Sequence, residues 1–195
     1  PGDTVLSAQL DAQADVNGAI QVKNGQVQLG TFRTQLQGGY VVDSGALDVQ
    51  ANFVAADMVM VQALSGTPIS GSATGGISLK GTPDALQVNL VLHSPHLVVE
   101  GNRFADSTVR ANGMLNTLTL GTDDFSAEGA VNVVSIFNGT AVKADVTAAV
   151  KDQTLTVPQW AARYGEYVGR GHLTAKGSTQ RFDVVSETEL TTTYG

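Results

Sequence analysis

Apolar and polar residues alternate along most of this chain, and that period of two narrows the possible folds more than any other feature. In GGISLKGTPDALQVNLVL (75–92), Ile77 and Leu79 alternate with Ser78 and Lys80. A Gly81-Thr82-Pro83-Asp84 break follows, and Leu86, Val88 and Leu90 then resume the pattern with Gln87 and Asn89 between them. Successive side chains of a strand point to opposite faces, so each such run is a strand with one apolar and one wet edge. LDVQANF, which contains Val49 and Phe53, alternates in the same way. So do the runs around Val142 and Val146 and around Leu155 and Val157.

Turn signals punctuate these runs. Ala19–Lys23 and Gln26–Leu29 flank Asn24-Gly25, and Asn-Gly between alternating segments predicts a two-residue hairpin turn. Asn17-Gly18, Asn112-Gly113 and Asn138-Gly139 read as further turns. The rhythm predicts about 14–16 strands of ~6 residues, the spacing of a meander, sandwich or solenoid. Two stretches depart from it. AADMVMVQAL (55–64) lacks glycine and reads as a short helix or a buried strand. QWAARYGEYV (159–168) reads as a single helical turn or an irregular strand, because Gly165 opposes a long helix.

The chain echoes itself. Gly75–Thr82 (GGISLKGT) lines up with Gly171–Ser178 (GHLTAKGS), and Leu86 and Val88 then match Phe182 and Val184. Residues 18–25 (GAIQVKNG) are a looser copy. A recurring strand–turn–strand unit implies growth by addition, each unit relying on its neighbours to bury its apolar edge. The glycine-rich run 66–76 reads as a loop between such units, so residues 1–195 form one repetitive segment. A chain beginning Pro1-Gly2-Asp3 reads as processed or as a piece of a longer protein.

Composition excludes several classes. The net charge is −7 and the 11 Lys and Arg are scattered, which opposes binding to nucleic acid or to an anionic bilayer by charge. With no Cys there are no disulfides, thiolate metal sites or cysteine nucleophiles. His93 and His96 have opposite strand parity, and His172 is the third and last histidine, which opposes a metal centre. Asp123-Asp124 lies in an expected 121–125 turn without a calcium-loop signature. No G-x-S-x-G occurs, Gly169-Arg170-Gly171 lacks a βαβ context, and Asn138-Gly139-Thr140 reads as a turn more simply than as a glycosylation acceptor. Trp160, Tyr164 and Tyr167 read as a cap over apolar surface or as a patch for a membrane or partner. No cofactor or catalytic residue is expected.

One resemblance organises these readings. Met58–Gly66, then Ile69-Ser70-Gly71, then Gly75–Leu86 resembles the TamB-like and AsmA-like bacterial envelope proteins. There a short apolar segment leads into a glycine-marked strand, a G-x-[IL]-x-[IL]-x-G-T turn and an alternating strand. His96–Phe104 is similar to the next step, a strand ending in glycine before a polar turn. Leu86-Gln87 departs from the family, many of whose members carry a second proline there. The resemblance implies an all-β fold: a long, curled, mainly antiparallel sheet forming an open groove with an apolar interior. It also implies a periplasmic segment of a larger protein anchored in the inner membrane, working without enzymatic activity in phospholipid traffic and outer-membrane biogenesis. The partners it implies are phospholipid, an outer-membrane barrel and adjoining segments of the same chain.

On this reading Val49, Phe53, Ile77, Leu79, Leu86, Val88, Leu90, Val142, Val146 and Leu173 line the groove. A lining of Val, Leu, Ile and Ala lets a hydrocarbon chain slide, and each methylene kept from water is worth ~0.8 kcal/mol. The alternatives are a packed sandwich or barrel, a β-solenoid adhesin or passenger, a groove for lipopolysaccharide, and a polysaccharide-active β-helix, which would need clustered Asp or Glu on one face where the sequence shows none.

Overall fold

The computed structural model describes residues 6–193 apart from 17, 121, 123, 179 and 180, with the side chains at 60, 64, 178, 181 and 182 also outside the description. Twelve strands follow one another: β1 (Leu6–Ala14), β2 (Ala19–Leu29), β3 (Phe32–Val41), β4 (Ala46–Ala55), β5 (Ile69–Thr82), β6 (Ala85–Val99), β7 (Asn102–Leu115), β8 (Ala127–Phe137), β9 (Thr140–Lys151), β10 (Thr154–Tyr164), β11 (Tyr167–Ser178) and β12 (Arg181–Thr192). They form one antiparallel sheet in chain order, and β1 and β12 do not pair with each other. A helix, α1 (Val59–Ser65), fills the β4–β5 connection, and a 3₁₀ turn (Thr117–Thr119) lies between β7 and β8. Among the described residues no helix is long and apolar enough to cross a membrane.

Tight turns make the meander possible. Glu100-Gly101, Asn138-Gly139 and Asp152-Gln153 each have positive φ at both positions, the geometry whose twist matches that of the flanking strands. The Asn138-Gly139 turn agrees with the sequence. Two other Asn-Gly pairs do not form turns. Asn24-Gly25 lies within β2, where Lys23 and Asn24 form a bulge opposite Gln37. Asn112-Gly113 lies within β7 in unbroken register. Neither pair has positive φ. Their glycines serve close approach between strands: a Cβ on Gly25 would stand 2.7 Å from Leu36 Cγ, and one on Gly113 2.5 Å from the Glu128 carbonyl oxygen.

These differences change the proportions of the molecule. Among the described residues there are twelve strands rather than about 14–16, and they span 9 to 15 residues. Each is therefore ~31–51 Å long, and the sheet is about 53 Å across. The glycine-rich 66–76 run is mostly not a loop: from Ile69 onward it is β5. Residues 55–64 contain the start of α1, which resolves helix against strand, and Met58 at its N-terminus is buried. Residues 159–168 are the irregular end of β10, a turn at Gly165-Glu166 and the start of β11.

The sheet is a single curled layer. A 20.2 kDa chain folded around an ordinary core would expose roughly 8,800 Å², whereas this one exposes 12818 Å². Among the described residues the buried apolar ones are Ala55, Met58, Ala73 and Ala175. Among the described residues no second sheet covers either face, so the fold is neither a sandwich nor a closed barrel, and its antiparallel order is not that of a solenoid. Bulges in β2, β6, β7 and β10 bend the strands and add twist, which is how a sheet this wide avoids lying flat.

Candidate functional site: an uncharged apolar face

Residues directly opposite one another in an antiparallel ladder share a face. Following the pairs from β1 to β12 gives apolar rows that cross the whole sheet. One runs Leu10, Gly25, Leu36, Ala51, Ile77, Leu90, Ala111, Val131, Val146, Trp160, Gly171, Thr188. Beside it, Ala12, Val22, Gly38, Val49, Leu79, Val88, Gly113, Gly129 and Ala148 continue past the β10 bulge to Val157, Leu173 and Ser186. A third row contains Phe53, Gly75, Leu92, Val109 and Val133, and a fourth contains Leu47, Leu86, Leu115, Val150 and Leu155. Val142 stands one row further, opposite Ser135 and Tyr164.

All ten residues singled out from the sequence therefore project from the same face. Each is half-buried, shielded by neighbours in its own layer. Leu10, Leu36, Leu92, Val109, Val131 and Val133 complete the rows, and their alternation parity was the signal for them. No charged side chain among the described strand residues stands on this face. Asp48, Lys80, Arg110, Glu128, Lys143, Asp145, Arg170 and Glu187 all fall on the opposite one. There Lys80–Asp48 (3.0 Å) and Lys143–Asp145 (3.2 Å) form exposed ion pairs of small energetic weight. Asn132 donates to Asp145 at 2.6 Å, and this bond, with help from Lys143, holds the Asp145 carboxyl below its ordinary range. A bond from Thr82, then one from its own backbone, does the same for Asp84.

The apolar face is not uniform. Near its centre Gly113 and Gly129 are paired, and the missing side chains leave a shallow depression of about 310 Å³ bounded by Val88, Ala111, Ala127, Val131, Val146 and Ala148. Trp160 lies flat over the next glycines, where Cβ atoms on Gly169 and Gly171 would stand 3.2 and 3.0 Å from its ring. It thus caps strand backbone within the layer. Tyr164 and Tyr167 pair on the same face and remain exposed at its rim. At that end of the strands, Phe104 packs on Phe137 with centroids 4.9 Å apart, and Phe137 meets Tyr164 at 6.2 Å. Aromatic bulk gathers at this rim, and apart from Trp160 and Phe53 the floor rows are made of small and aliphatic side chains.

Just inside that rim the bulges introduce three buried serines. Ser94 is wholly buried, and its hydroxyl donates to the carbonyl oxygens of Ser72 (2.7 Å) and His96 (3.0 Å). Ser107 and Ser135 bond each other at 2.7 Å across β7 and β8. They satisfy backbone and one another where the ladders are interrupted, a local structural role. The bulge at Ser94-Pro95 also overturns the parity of the histidines: it turns both His93 and His96 to the polar face, where both are exposed. Among the described residues no group of three His, Asp or Glu side chains could hold a metal. His172 lies 4.0 Å from Glu187. Of the expected 121–125 turn, 121 and 123 fall outside the described residues.

The polar face carries a hollow of about 700 Å³ over Gly39, edged by Gln21, Lys23, Gln37, Asp48 and Lys80. Its charges are exposed and the ion pair across it is already satisfied, so it brings no chemistry together. No protein-family model, curated protein or solved structure matches this chain.

Proposed function

We propose that this chain is a non-enzymatic, groove-forming segment of a TamB-like or AsmA-like envelope protein, and that it shields phospholipid acyl chains crossing between two membranes. The observation that carries this reading is the set of contiguous apolar rows, free of charge among the described residues of twelve strands and with no second sheet over them. A sixteen-carbon chain in bare water carries a penalty of order 12 kcal/mol, and a continuous apolar floor removes most of it along the path. Small side chains at the floor offer no deep pocket in which a chain would lodge. The head group stays wet at the open seam, so no cationic clamp is needed. The reading places the segment in the periplasm, in a parent protein anchored in the inner membrane and meeting an outer-membrane barrel.

Solvent extraction of the purified chain followed by mass spectrometry should recover phospholipid, and it would separate phospholipid from lipopolysaccharide as cargo. A photo-crosslinker at Val88 should label acyl chain, and one at Gln87 should not. Equal labelling at both positions, or no lipid at either, would falsify the groove.

A further inference from the structure

The strand ends form two lips along the sheet, and the lips are built differently. At one of them an arginine and an aromatic residue stand side by side on three strands: Phe32-Arg33 at the start of β3, Arg103-Phe104 at the start of β7 and Arg163-Tyr164 at the end of β10. Neighbouring residues of a strand point to opposite faces, so each ring lies on the apolar face and each guanidinium on the polar one. All three arginines are exposed, and among the described residues none makes an ion pair. Arg163 Nε donates to the Gly165 carbonyl oxygen at 2.8 Å, which pins its guanidinium at the turn. Asp57, Glu100 and Glu166 lie in turns of the same lip, and the Asp57 carboxylate accepts from the Val59 N–H at 3.2 Å. At the opposite lip five successive turns carry an aspartate: Asp15, Asp43, Asp84, Asp124 and Asp152. Lys23, Lys80, Lys151 and Lys176 share that half of the sheet, with Lys80 bound to Asp48 and Lys151 next to Asp152. Tyr40 and Phe125, the described aromatic side chains there, have no arginine beside them.

We infer that phospholipid head groups pass along the arginine lip, phosphate against guanidinium, while their acyl chains lie on the apolar face beside it. The inference rests on the lipid reading above and adds to it the side on which the head group rides and the group that is recognised, an anionic phosphodiester. The ring of each pair stands at the boundary between hydrocarbon and water, a place that favours aromatic side chains. The guanidinium of each pair offers a planar fork of N–H donors that matches two phosphate oxygens. Each arginine lies within two residues of its strand end, so its flexible stem can follow the lip and bring the charge to the seam. Arg33 and Arg103 are four strands apart, and Arg103 and Arg163 three. At ~4.8 Å per strand the stations are about 19 and 14 Å apart. An exposed ion contact is worth only about 0.2–1 kcal/mol, so each station guides a head group without holding it. The aspartates of the other lip repel the same phosphate.

Two photoreactive phosphatidylcholines test this, one with a diazirine in an acyl chain and one with a diazirine in the head group. Each is loaded onto the purified chain, and the complex is separated from vesicles by gel filtration before irradiation. Peptide mapping should place the acyl label on the floor rows. It should place the head-group label around Arg33, Arg103 and Arg163, with little at Asp43, Asp84 and Asp152. Arg33→Gln combined with Arg103→Gln should cut head-group labelling at those two stations by about 2- to 5-fold and leave the acyl label unchanged. Both side chains are exposed, so the variant keeps the fold, which circular dichroism would verify. A diacylglycerol bearing the same head-end diazirine, with no phosphate, should label the two lips alike. Acyl label on the floor with head-group label shared evenly between the lips, or gathered at the aspartate turns, overturns the inference and keeps the groove. So does labelling that ignores the double substitution, or a lip preference that persists with the diacylglycerol. No acyl label on the floor overturns both.

Discussion

The two echoing hairpins, β5–β6 and β11–β12, share one sequence frame and lie in different surroundings. In β5–β6, Leu86 and Val88 are flanked by Leu115 and Gly113 of β7 and are half-buried. Val184, the counterpart of Val88, has no strand beyond it and is 57% exposed. The counterpart of Leu86 is Phe182, whose side chain is outside the description. The frame makes a pair of adjacent antiparallel strands in both places. What the unit buries is decided by how many neighbours it has, the behaviour of a structure that grows by repetition.

The sharpest way to break this comparison is to put a charge in equivalent positions. Val88→Asp places a carboxylate among apolar neighbours and should lower unfolding stability by about 2 kcal/mol or more. Val184→Asp should cost less than about 0.5 kcal/mol. Urea denaturation of the two variants measures the gap, and equal costs would mean that the sheet's centre is no better shielded than its edge.

A smaller effect tests the polar inclusions. Ser135→Ala leaves the buried Ser107 hydroxyl without its 2.7 Å partner and should cost about 1–2 kcal/mol. Ser186→Ala, on the same face of exposed β12, should be near neutral in the same denaturation assay.

The smallest effect concerns the polar face of the central strands. Asn132 holds the Asp145 carboxyl below its ordinary range, so the stability this adds is present above the unfolded-state pKa and lost as pH falls through the folded-state value. Asn132→Ala should move the Asp145 titration upward, read by NMR of its carboxyl carbon. Because Asp145 is exposed, global stability should scarcely change. An unmoved titration would assign the shift to Lys143 instead.

Much of the fold is legible in the sequence because alternation is a local property. Val49, Ile77, Leu79, Leu86 and Val88 announce their shared parity within a few residues of chain, and the ladder then keeps them on one side. The two Asn-Gly pairs show where local reading stops. A turn at Asn24-Gly25 would bring Val22 opposite Val27 and Ile20 opposite Leu29. The bulge keeps those same four residues on the apolar face, so hydrophobic pattern cannot separate the two. Pairing along the full length of β1 and β3 decides it. At Asn112-Gly113 the sequence did hold the answer: Val109, Ala111, Gly113 and Leu115 keep one parity, whereas a turn there would set Val109 against Asn116. The parity of His93 and His96 misled because a bulge shifts every later residue by one, and its site is set by strand pairing.

Sequence by itself determined that the chain makes one-sided strands joined by tight turns, with charge confined to one side, because side-chain direction in a strand depends only on the residue's place in the run. Tertiary structure decided how many strands there are, where they bend, and that among the described residues no second sheet covers the apolar side. Those outcomes depend on which strand ends up beside which, a competition among distant pairings that no short stretch of residues encodes.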